Sequence, residues 1–389
     1  MTKMNSASPY PAIIDADETV RKPFKSPLLR QHMPGLDILR GVAILSVILY
    51  HGLYQSSLLS PPSHTIWARL SSLFVFGWLG VFLFFVLSGF LITGILLDSK
   101  WERFYWRSFY IKRALRILPA FFVVIFLIKV FEHASWPYVA LCTFYLANLA
   151  GMLHIGGFQY GVLWSLAVEE QFYLGWPSVV KLGSRRSLVL IALAILVFSP
   201  VLRLISFSNV VPFGDIHMTW LISDNLIAGA SLAILLRSPQ ASERLVKRLA
   251  WILLCAGVAI LATGIPFGIL HREKAIGATF QTVPFEFIFS SMLLFSLFLE
   301  STSRLTRLAR PLMFFGYISY GLYLYHELVF FTFAAILGKM GLLNHWSPAV
   351  FLLGFFVEAA IAVMIAYLSK RYFEDYFLGL KSKLLSSLC

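Results

Sequence analysis

The chain has 389 residues, of which 59% are hydrophobic and only 13% are charged. A soluble domain of this size has no means of burying so much apolar surface, so the composition predicts an all-α protein with many membrane-spanning helices. The net charge of +13 does not indicate a nucleic-acid-binding protein, because the basic residues lie between apolar segments, where they act as topology signals and as ligands for anions and membrane lipid. The three cysteines are scattered without metal-ligand spacing, so we expect neither a metal site nor a tightly bound cofactor.

Ten apolar segments are candidate membrane spans, of which residues 117–131 are short and need the preceding residues 111–119 as an amphipathic extension, and an eleventh segment, residues 138–153, is short and marginal. Clusters of lysine and arginine separate the segments, and such clusters mark cytoplasmic loops. If all of them are cytoplasmic, the chain makes ten crossings with both termini in the cytoplasm. Residues 138–153 then form a re-entrant or interfacial helix, and the charged loop 271–274 lies outside. The ten segments are residues 37–57, 73–97, 117–131, 162–181, 187–205, 219–236, 249–269, 283–300, 311–338 and 349–369.

The polar ends of the chain flank one long apolar region. Residues 1–35 carry three acidic residues among the basic ones, which is a poor match to a cleavable signal peptide. We interpret them as a flexible cytoplasmic tail. Residues 36–376 contain all of the apolar segments and form one transmembrane domain, and residues 377–389 are a short cytoplasmic tail without an appended soluble domain.

The first apolar segment carries two ionisable residues, Arg40 and His51. Eleven positions make about three helical turns, so the two side chains lie on one face, about 16 Å apart along the helix axis. Ionisable side chains inside a membrane span are costly and predict a functional site. The alternative is structural, with Arg40 extending to the interface and His51 hydrogen-bonded in the core.

Basic residues and carboxylates mark two further segments. Arg113 and Arg116 lie three positions apart on one helix face, a spacing that suits a two-pronged phosphate site, although a solvated interfacial helix has the same pattern. Glu169 and Glu170 lie within an apolar segment, where a carboxylate needs a cation or a histidine as partner. Because adjacent helical residues point about 100° apart, we expect these two to have different partners.

Hydroxyl-bearing and aromatic residues complete the candidates. Ser88 precedes Gly89 in a predicted membrane span that otherwise consists largely of bulky apolar residues. Close helix packing is a simpler explanation of this pair of small residues than a binding role. Ser319, Tyr323 and His326 follow an i, i+4, i+7 pattern on one face of an otherwise apolar helix. This pattern predicts a hydrated cavity or, alternatively, an aromatic belt at the membrane interface.

Taken together and in this order, these motifs resemble those of the acyltransferase 3 family of integral membrane O-acyltransferases. The resemblance covers the chain from about Leu36 to Glu374. Next to its end, Asp375 and Tyr376 depart from the family pattern, in which a basic residue and a proline are more usual. The motifs are Arg40 with His51, FFVLSGF at 84–90, YIKRALRILP at 110–119, WSLAVEEQFY at 164–173, GYISYGLYLYH at 316–326 and RYFE at 371–374.

The resemblance implies an enzyme of the bacterial inner membrane, of the stand-alone type without a fused hydrolase-like domain. Such an enzyme moves an acyl group, usually acetyl, from cytoplasmic acyl-CoA as co-substrate to a hydroxyl of a surface glycan or glycolipid, such as lipopolysaccharide or exopolysaccharide. A small secreted molecule is an alternative acceptor. The rival class is a transporter or flippase of lipid-linked glycans, because ionisable groups in a helix bundle also suit a transport path.

The resemblance and the chemistry of a thioester together suggest residue roles. We expect Arg40, Arg113 and Arg116 to hold the phosphates of acyl-CoA at the cytoplasmic rim. We expect His51 to act as general base, with Glu170 orienting its ring. The sequence leaves open whether His51 acts on the acceptor directly or first accepts the acyl group. The residues expected to bind substrate or polarise the thioester are Ser88, Glu169, Ser319, Tyr323 and His326.

Overall fold

The structure, a computed structural model, describes residues 25–55, 71–157, 159–208, 217–341 and 348–386. Every regular element within these ranges is helical, which confirms the predicted all-α class. Most of the predicted N-terminal tail and the last three residues of the predicted C-terminal tail lie outside the described residues.

The α-helices are numbered here in chain order, and short 3-10 or π-helical segments extend several of them. The extensions are Tyr50–Gln55, Ser72–Trp78, Ala147–Leu149, Ile265–Phe267 and Ser369–Glu374. The α-helices of the described residues are α1 (Pro34–Leu49), α2 (Leu79–Asp98), α3 (Tyr105–Phe131), α4 (Trp136–Thr143), α5 (Leu163–Leu182), α6 (Arg185–Phe207), α7 (Thr219–Leu235), α8 (Glu243–Gly264), α9 (Ala275–Phe280), α10 (Thr282–Ser296), α11 (Arg304–Leu308), α12 (Arg310–Lys339), α13 (Pro348–Leu368) and α14 (Asp375–Ser386).

Each of the ten predicted segments corresponds to one of these helices, but not all of the helices have the length and apolarity of a membrane span. Among the described residues, eight helical segments do. Helix α7 is apolar but has only 17 residues, and α5 carries two glutamates in its middle. A count of ten crossings therefore stays a prediction. The eight segments are Pro34–Gln55, Ser72–Asp98, Tyr105–Phe131, Arg185–Phe207, Glu243–Phe267, Ala275–Ser296, Arg310–Lys339 and Ala349–Lys381.

The marginal stretch 138–153 forms most of α4 and the turn Ala147–Leu149. The side chain of Ser135 caps the start of α4 by accepting a hydrogen bond from the backbone N–H of Tyr138. With eight residues, α4 is too short to cross a bilayer. The stretch is therefore not a full crossing, as the sequence predicts.

Helices α2 and α7 pack closely because small residues face each other across their contact. A methyl group added at Gly89 would meet the backbone oxygen of Leu226, and one added at Gly229 would meet the backbone oxygen of Val86. Small residues allow such close approach, which drives helix association in membranes through van der Waals contact. From the sequence, close helix packing was one explanation of the Ser88–Gly89 pair. The structure shows such packing at Gly89.

Helices α1 and α12 approach each other in the same way. A methyl group at Gly41 would meet the backbone of Leu312, and one at Gly316 would meet the backbone of Asp37. This crossing fixes two helices that carry four of the ten candidate residues, and the turn that follows α1 carries His51.

A buried ion pair joins α6 to α7. Arg203 Nη1 lies 2.6 Å from Asp224 Oδ2 and donates a second hydrogen bond, also of 2.6 Å, to the backbone oxygen of Leu221. Arg203 Nε donates to the backbone oxygen of Thr279 at 2.9 Å. Arg203 and Asp224 are both buried, so each neutralises a charge that would otherwise be costly inside the bundle.

The Gly89 contact predicts the outcome of a single substitution. We expect Gly89→Ala to destabilise the protein by about 1–3 kcal/mol, because the added methyl meets a backbone oxygen that has little room to move. Thermal unfolding of the purified protein in detergent measures this loss.

The matched control is Gly175→Ala, where the added methyl has nothing within 4 Å. Alanine favours a helix more than glycine does, so this variant should unfold at or above the wild-type temperature. Equal unfolding temperatures for the two variants would contradict the close α2–α7 packing.

Candidate functional site

Two of the cavities in the described part of the chain enter the bundle beside the candidate residues. The first, the basic cavity, has a volume of about 320 Å³. Four cationic side chains line it: Arg40 from α1 and Lys112, Arg113 and Arg116 from α3. Apolar residues of α2 form much of its remaining wall, namely Val81, Phe84, Phe85, Leu87, Leu91, Ile92 and Ile95.

Within the basic cavity, Arg113 is matched by two carboxylates. Its Nη2 atom lies 3.4 Å from Glu170 Oε1 and 3.9 Å from Glu169 Oε2. Its guanidinium carbon lies 3.7 Å from the centre of the Tyr173 ring. The Tyr173 hydroxyl donates to Glu169 Oε2 at 3.1 Å and contacts the Ser88 hydroxyl. These five side chains form one connected polar cluster between α2, α3 and α5.

This cluster corrects two predictions. Glu169 and Glu170 were expected to have different partners, but one guanidinium reaches both because it lies between the two helix faces. Glu170 was also expected to orient His51, whereas its ion-pair partner in the structure is Arg113. Helix periodicity gives the angle between neighbouring side chains. It does not show that a single guanidinium on the facing helix reaches both carboxylates.

The other cations of the basic cavity are less fully neutralised. Arg40 Nη1 lies 3.2 Å from Asp37 Oδ1, with both side chains partly exposed. Lys112 and Arg116 form no ion pair within the described residues, and Arg116 is exposed to the cavity. The cavity therefore has a surplus of positive charge, which suits a ligand that carries several negative charges.

The second cavity, the histidine cavity, has a volume of about 520 Å³. His51 lines it together with aromatic and amide side chains. The guanidinium carbon of Arg272 lies 4.1 Å from the centre of the Trp78 ring in its wall. Glu327 Oε2 accepts a hydrogen bond of 3.1 Å from the backbone N–H of Val162. The aromatic and amide residues are Tyr50, Tyr54, Gln55, Trp78, Phe82, Tyr138, Asn148, Gln159, Tyr160, Trp164 and Tyr323, and a second histidine, His217, also lines the cavity.

The two cavities share a wall. Val81 and Tyr323 line both of them. The hydroxyl of Tyr323 contacts the hydroxyl of Ser165, and its ring packs edge-to-face on Phe84 at 6.0 Å between centroids. At this wall, only the side chains of Val81 and Tyr323 separate a ligand in the basic cavity from the histidine cavity.

His51 belongs to the π-helical turn Tyr50–Gln55 that continues α1, a widened geometry that is frequent at functional sites. Its Nδ1 lies 2.9 Å from Nε2 of His326, with ring centroids 5.1 Å apart. His326 is fully buried and lies behind His51, since it lines neither cavity. This position does not favour the prediction that His326 binds substrate directly, because His326 contacts the His51 ring and lines neither cavity.

The remaining candidates divide between the two cavities. Ser88, Glu169 and Ser319 line the basic cavity, and Tyr323 lines both cavities. Arg40 in α1 lines the basic cavity, whereas His51 in the π-helical turn that follows α1 lines the histidine cavity.

Sequence reasoning missed several polar residues of the site. Glu327 lies in an apolar helix, so the rule that identified Glu169 also applies to it. Lys112 and Tyr173 lie within two of the motifs, but only neighbouring residues of those motifs were named as candidates. Arg272 gave no usable signal, because a charged residue in a short loop has no reason to face a cavity.

The sequence model of the acyltransferase 3 family, described as an acyltransferase domain, matches residues 33–368. The peptidoglycan O-acetyltransferase OatA of Listeria monocytogenes is 27% identical over 91% of this chain and 58% of its own length. The putative peptidoglycan O-acetyltransferase YrhL of Bacillus subtilis is 30% identical over 76% of this chain and 48% of its own length.

Putative O-acetyltransferases of Staphylococcus aureus are 31% identical over 39% of this chain and 25% of their own length. The chain thus spans between a quarter and about three fifths of the length of these curated relatives. No solved structure matches it.

The Arg113 cluster predicts a stability effect that depends on charge. Arg113→Ala leaves two partly buried carboxylates without their cation, and we expect it to cost about 3–5 kcal/mol of stability. Adding Glu169→Gln and Glu170→Gln to that variant should recover part of the loss, because the uncompensated charges are then gone. Thermal unfolding of the three proteins in detergent measures both effects.

Arg103→Ala is the control, since Arg103 lies on the same side of the bundle but is exposed, and it should unfold as wild type. A triple variant no more stable than Arg113→Ala would show that charge pairing is not what holds the cluster together.

Proposed function

The chain belongs to the acyltransferase 3 family, and from this premise we propose that it transfers an acetyl group from acyl-CoA to a hydroxyl of a cell-surface glycan. The observation that supports the proposal most strongly is the shared wall between the two cavities at Tyr323. One cavity has the charge for a polyanionic donor. The other has His51, a side chain suited to proton removal near neutral pH.

In this proposal the donor occupies the basic cavity. Acyl-CoA carries several phosphate charges at one end and a thioester at the end of a long, flexible arm. Arg40, Lys112 and Arg116 bind the phosphates, while the arm lies along the apolar residues of α2 and carries the thioester to Tyr323. Arg113 is not among the phosphate ligands, because Glu169 and Glu170 already neutralise it.

The acceptor occupies the histidine cavity. Aromatic rings and amide side chains line this cavity, and such a lining suits a sugar, which has apolar faces and many hydroxyls. The named relatives OatA and YrhL support the same class, since their names specify peptidoglycan O-acetylation. We therefore propose a glycan acceptor and, among glycans, favour peptidoglycan or its precursors over lipopolysaccharide.

The chemistry is a direct acyl transfer. His51 takes the proton of the acceptor hydroxyl as its oxygen attacks the thioester carbonyl. The new C–O bond forms, the C–S bond breaks, and the departing CoA sulfur takes the proton back from His51. The Tyr323 hydroxyl lies at the wall between donor and acceptor, where it donates a hydrogen bond to the carbonyl oxygen as negative charge develops.

The proposed orientation puts the basic cavity at the cytoplasmic face of the inner membrane. Ser99 lines this cavity, and the neighbouring Asp98 pairs with Lys25 near the N-terminus and with Arg237. The basic clusters predicted to be cytoplasmic lie at this end. The acceptor then approaches from the opposite face, past the loop that carries Arg272.

Arg116 tests the proposed donor site. We predict that Arg116→Ala raises the KM for acetyl-CoA about tenfold to a hundredfold, because a lost charged hydrogen bond is worth about 1.5–3 kcal/mol. The KM for a peptidoglycan-fragment acceptor should stay unchanged, and exposed Arg103→Ala should change neither constant. Equal rises in both KM values would contradict the assignment of the basic cavity to the donor.

His51 tests the proposed reaction. In purified protein reconstituted with acetyl-CoA and peptidoglycan fragments, we expect His51→Ala to lower kcat about 10²- to 10⁴-fold, the usual contribution of a general base. Acetyl-CoA binding should be retained, because His51 does not line the basic cavity. Wild-type turnover with undiminished activity of the folded variant would refute the role of His51.

A further inference from the structure

The surroundings of His326 determine which of its nitrogens carries a proton. Its Nδ1 lies 3.0 Å from the backbone oxygen of Leu322 and 2.9 Å from that of Tyr323. These two residues precede His326 by four and three positions in α12, which is about one helical turn. Carbonyl oxygens only accept hydrogen bonds, so Nδ1 must carry the proton and donate to them. Nε2 of the neutral ring is then an acceptor.

A doubly protonated His326 does not fit this position. The side chain is fully buried, and its recorded polar neighbours are these two carbonyls and the His51 ring. Among the described residues, no carboxylate forms a hydrogen bond with His326, so a positive charge here would be unpaired, and burial of an unpaired charge is costly. The rings of Tyr323 and Phe330 pack against the imidazole, with centroids 6.0 Å and 5.7 Å away, and hold its orientation.

The proton on His51 follows from the same argument. Because Nε2 of His326 accepts, the atom 2.9 Å away from it, Nδ1 of His51, must donate. In a neutral His51 the unprotonated nitrogen is then Nε2. His51 lines the histidine cavity. The residue that carries this basic nitrogen is therefore the one that meets an acceptor bound in that cavity.

We propose that His326 is a positioning residue that fixes His51 in the Nδ1–H tautomer and thereby makes Nε2 of His51 the base. His326 touches no substrate. It acts as the orienting partner that Glu170 was expected to be, but with a neutral acceptor in place of a carboxylate. When Nε2 takes a proton, the hydrogen bond from Nδ1 to His326 persists and stabilises the charged ring. The inference rests on the proposed role of His51.

Two substitutions separate this role from simple packing. His326→Gln keeps a side-chain oxygen that accepts from His51 Nδ1, whereas His326→Leu fills similar space without an acceptor. We expect the Leu variant to lose about 10- to 100-fold in kcat, the usual effect of removing a partner that orients a functional histidine. The Gln variant should retain clearly more activity, and neither should change the KM for acetyl-CoA. Exposed His32→Gln is the control.

The tautomer itself is measured without turnover. In full-length protein labelled with ¹⁵N-histidine, the His51 signals are assigned by their loss in His51→Gln. We expect a protonated Nδ1 and an unprotonated Nε2 in wild type, and the same pattern in His326→Gln. The opposite tautomer in wild type would overturn the proposal, as would equal kcat values for stably folded Gln and Leu variants. If no form consumed acetyl-CoA, the proposed function would fail, but the ¹⁵N spectrum would still decide the tautomer.

Discussion

The hydrogen bond between His51 and His326 is the contact on which the rest of the site depends, because it joins the end of α1 to α12 beside the histidine cavity. It forms because α1 and α12 approach backbone to backbone at Gly41 and Gly316. The π-helical turn at the end of α1 then carries the His51 ring between its partner and the histidine cavity. Close packing, backbone geometry and proton placement are thus linked in one short region.

The bilayer imposes a second constraint, which is that polar groups inside the bundle need partners from the protein itself. Arg203 and Asp224 satisfy each other away from the cavities. Arg113 is satisfied by two glutamates. Lys112 and Arg116, in contrast, have no carboxylate partner among the described residues. Their charge distinguishes the basic cavity from a purely structural cluster and favours an anionic ligand there.

The sequence predicted the helices and the location of the ionisable residues well, because apolar length and helical periodicity determine both. The spacing of Arg40 and His51 predicted a shared helix face, but it gave no information on which helix lies opposite or on the two different cavities that these side chains line. The ion pair of Glu170 with Arg113 and the contact of His326 with His51 were therefore not predicted, since both depend on how helices distant in sequence are rotated against each other. Arg272 was missed because it lies in a short loop, where a charged residue gives no sign of facing a cavity. The roles of these residues in catalysis stay predictions.

The central claim is that a donor and an acceptor enter separate cavities and meet at Tyr323 beside His51. The most direct test is a cryo-electron-microscopy structure of the protein with a non-hydrolysable thioether analogue of acetyl-CoA. The account predicts phosphates at Arg40, Lys112 and Arg116, with the acyl end at Tyr323 and the histidine cavity still open. An analogue bound with its phosphates in the histidine cavity, near Arg272, would contradict it.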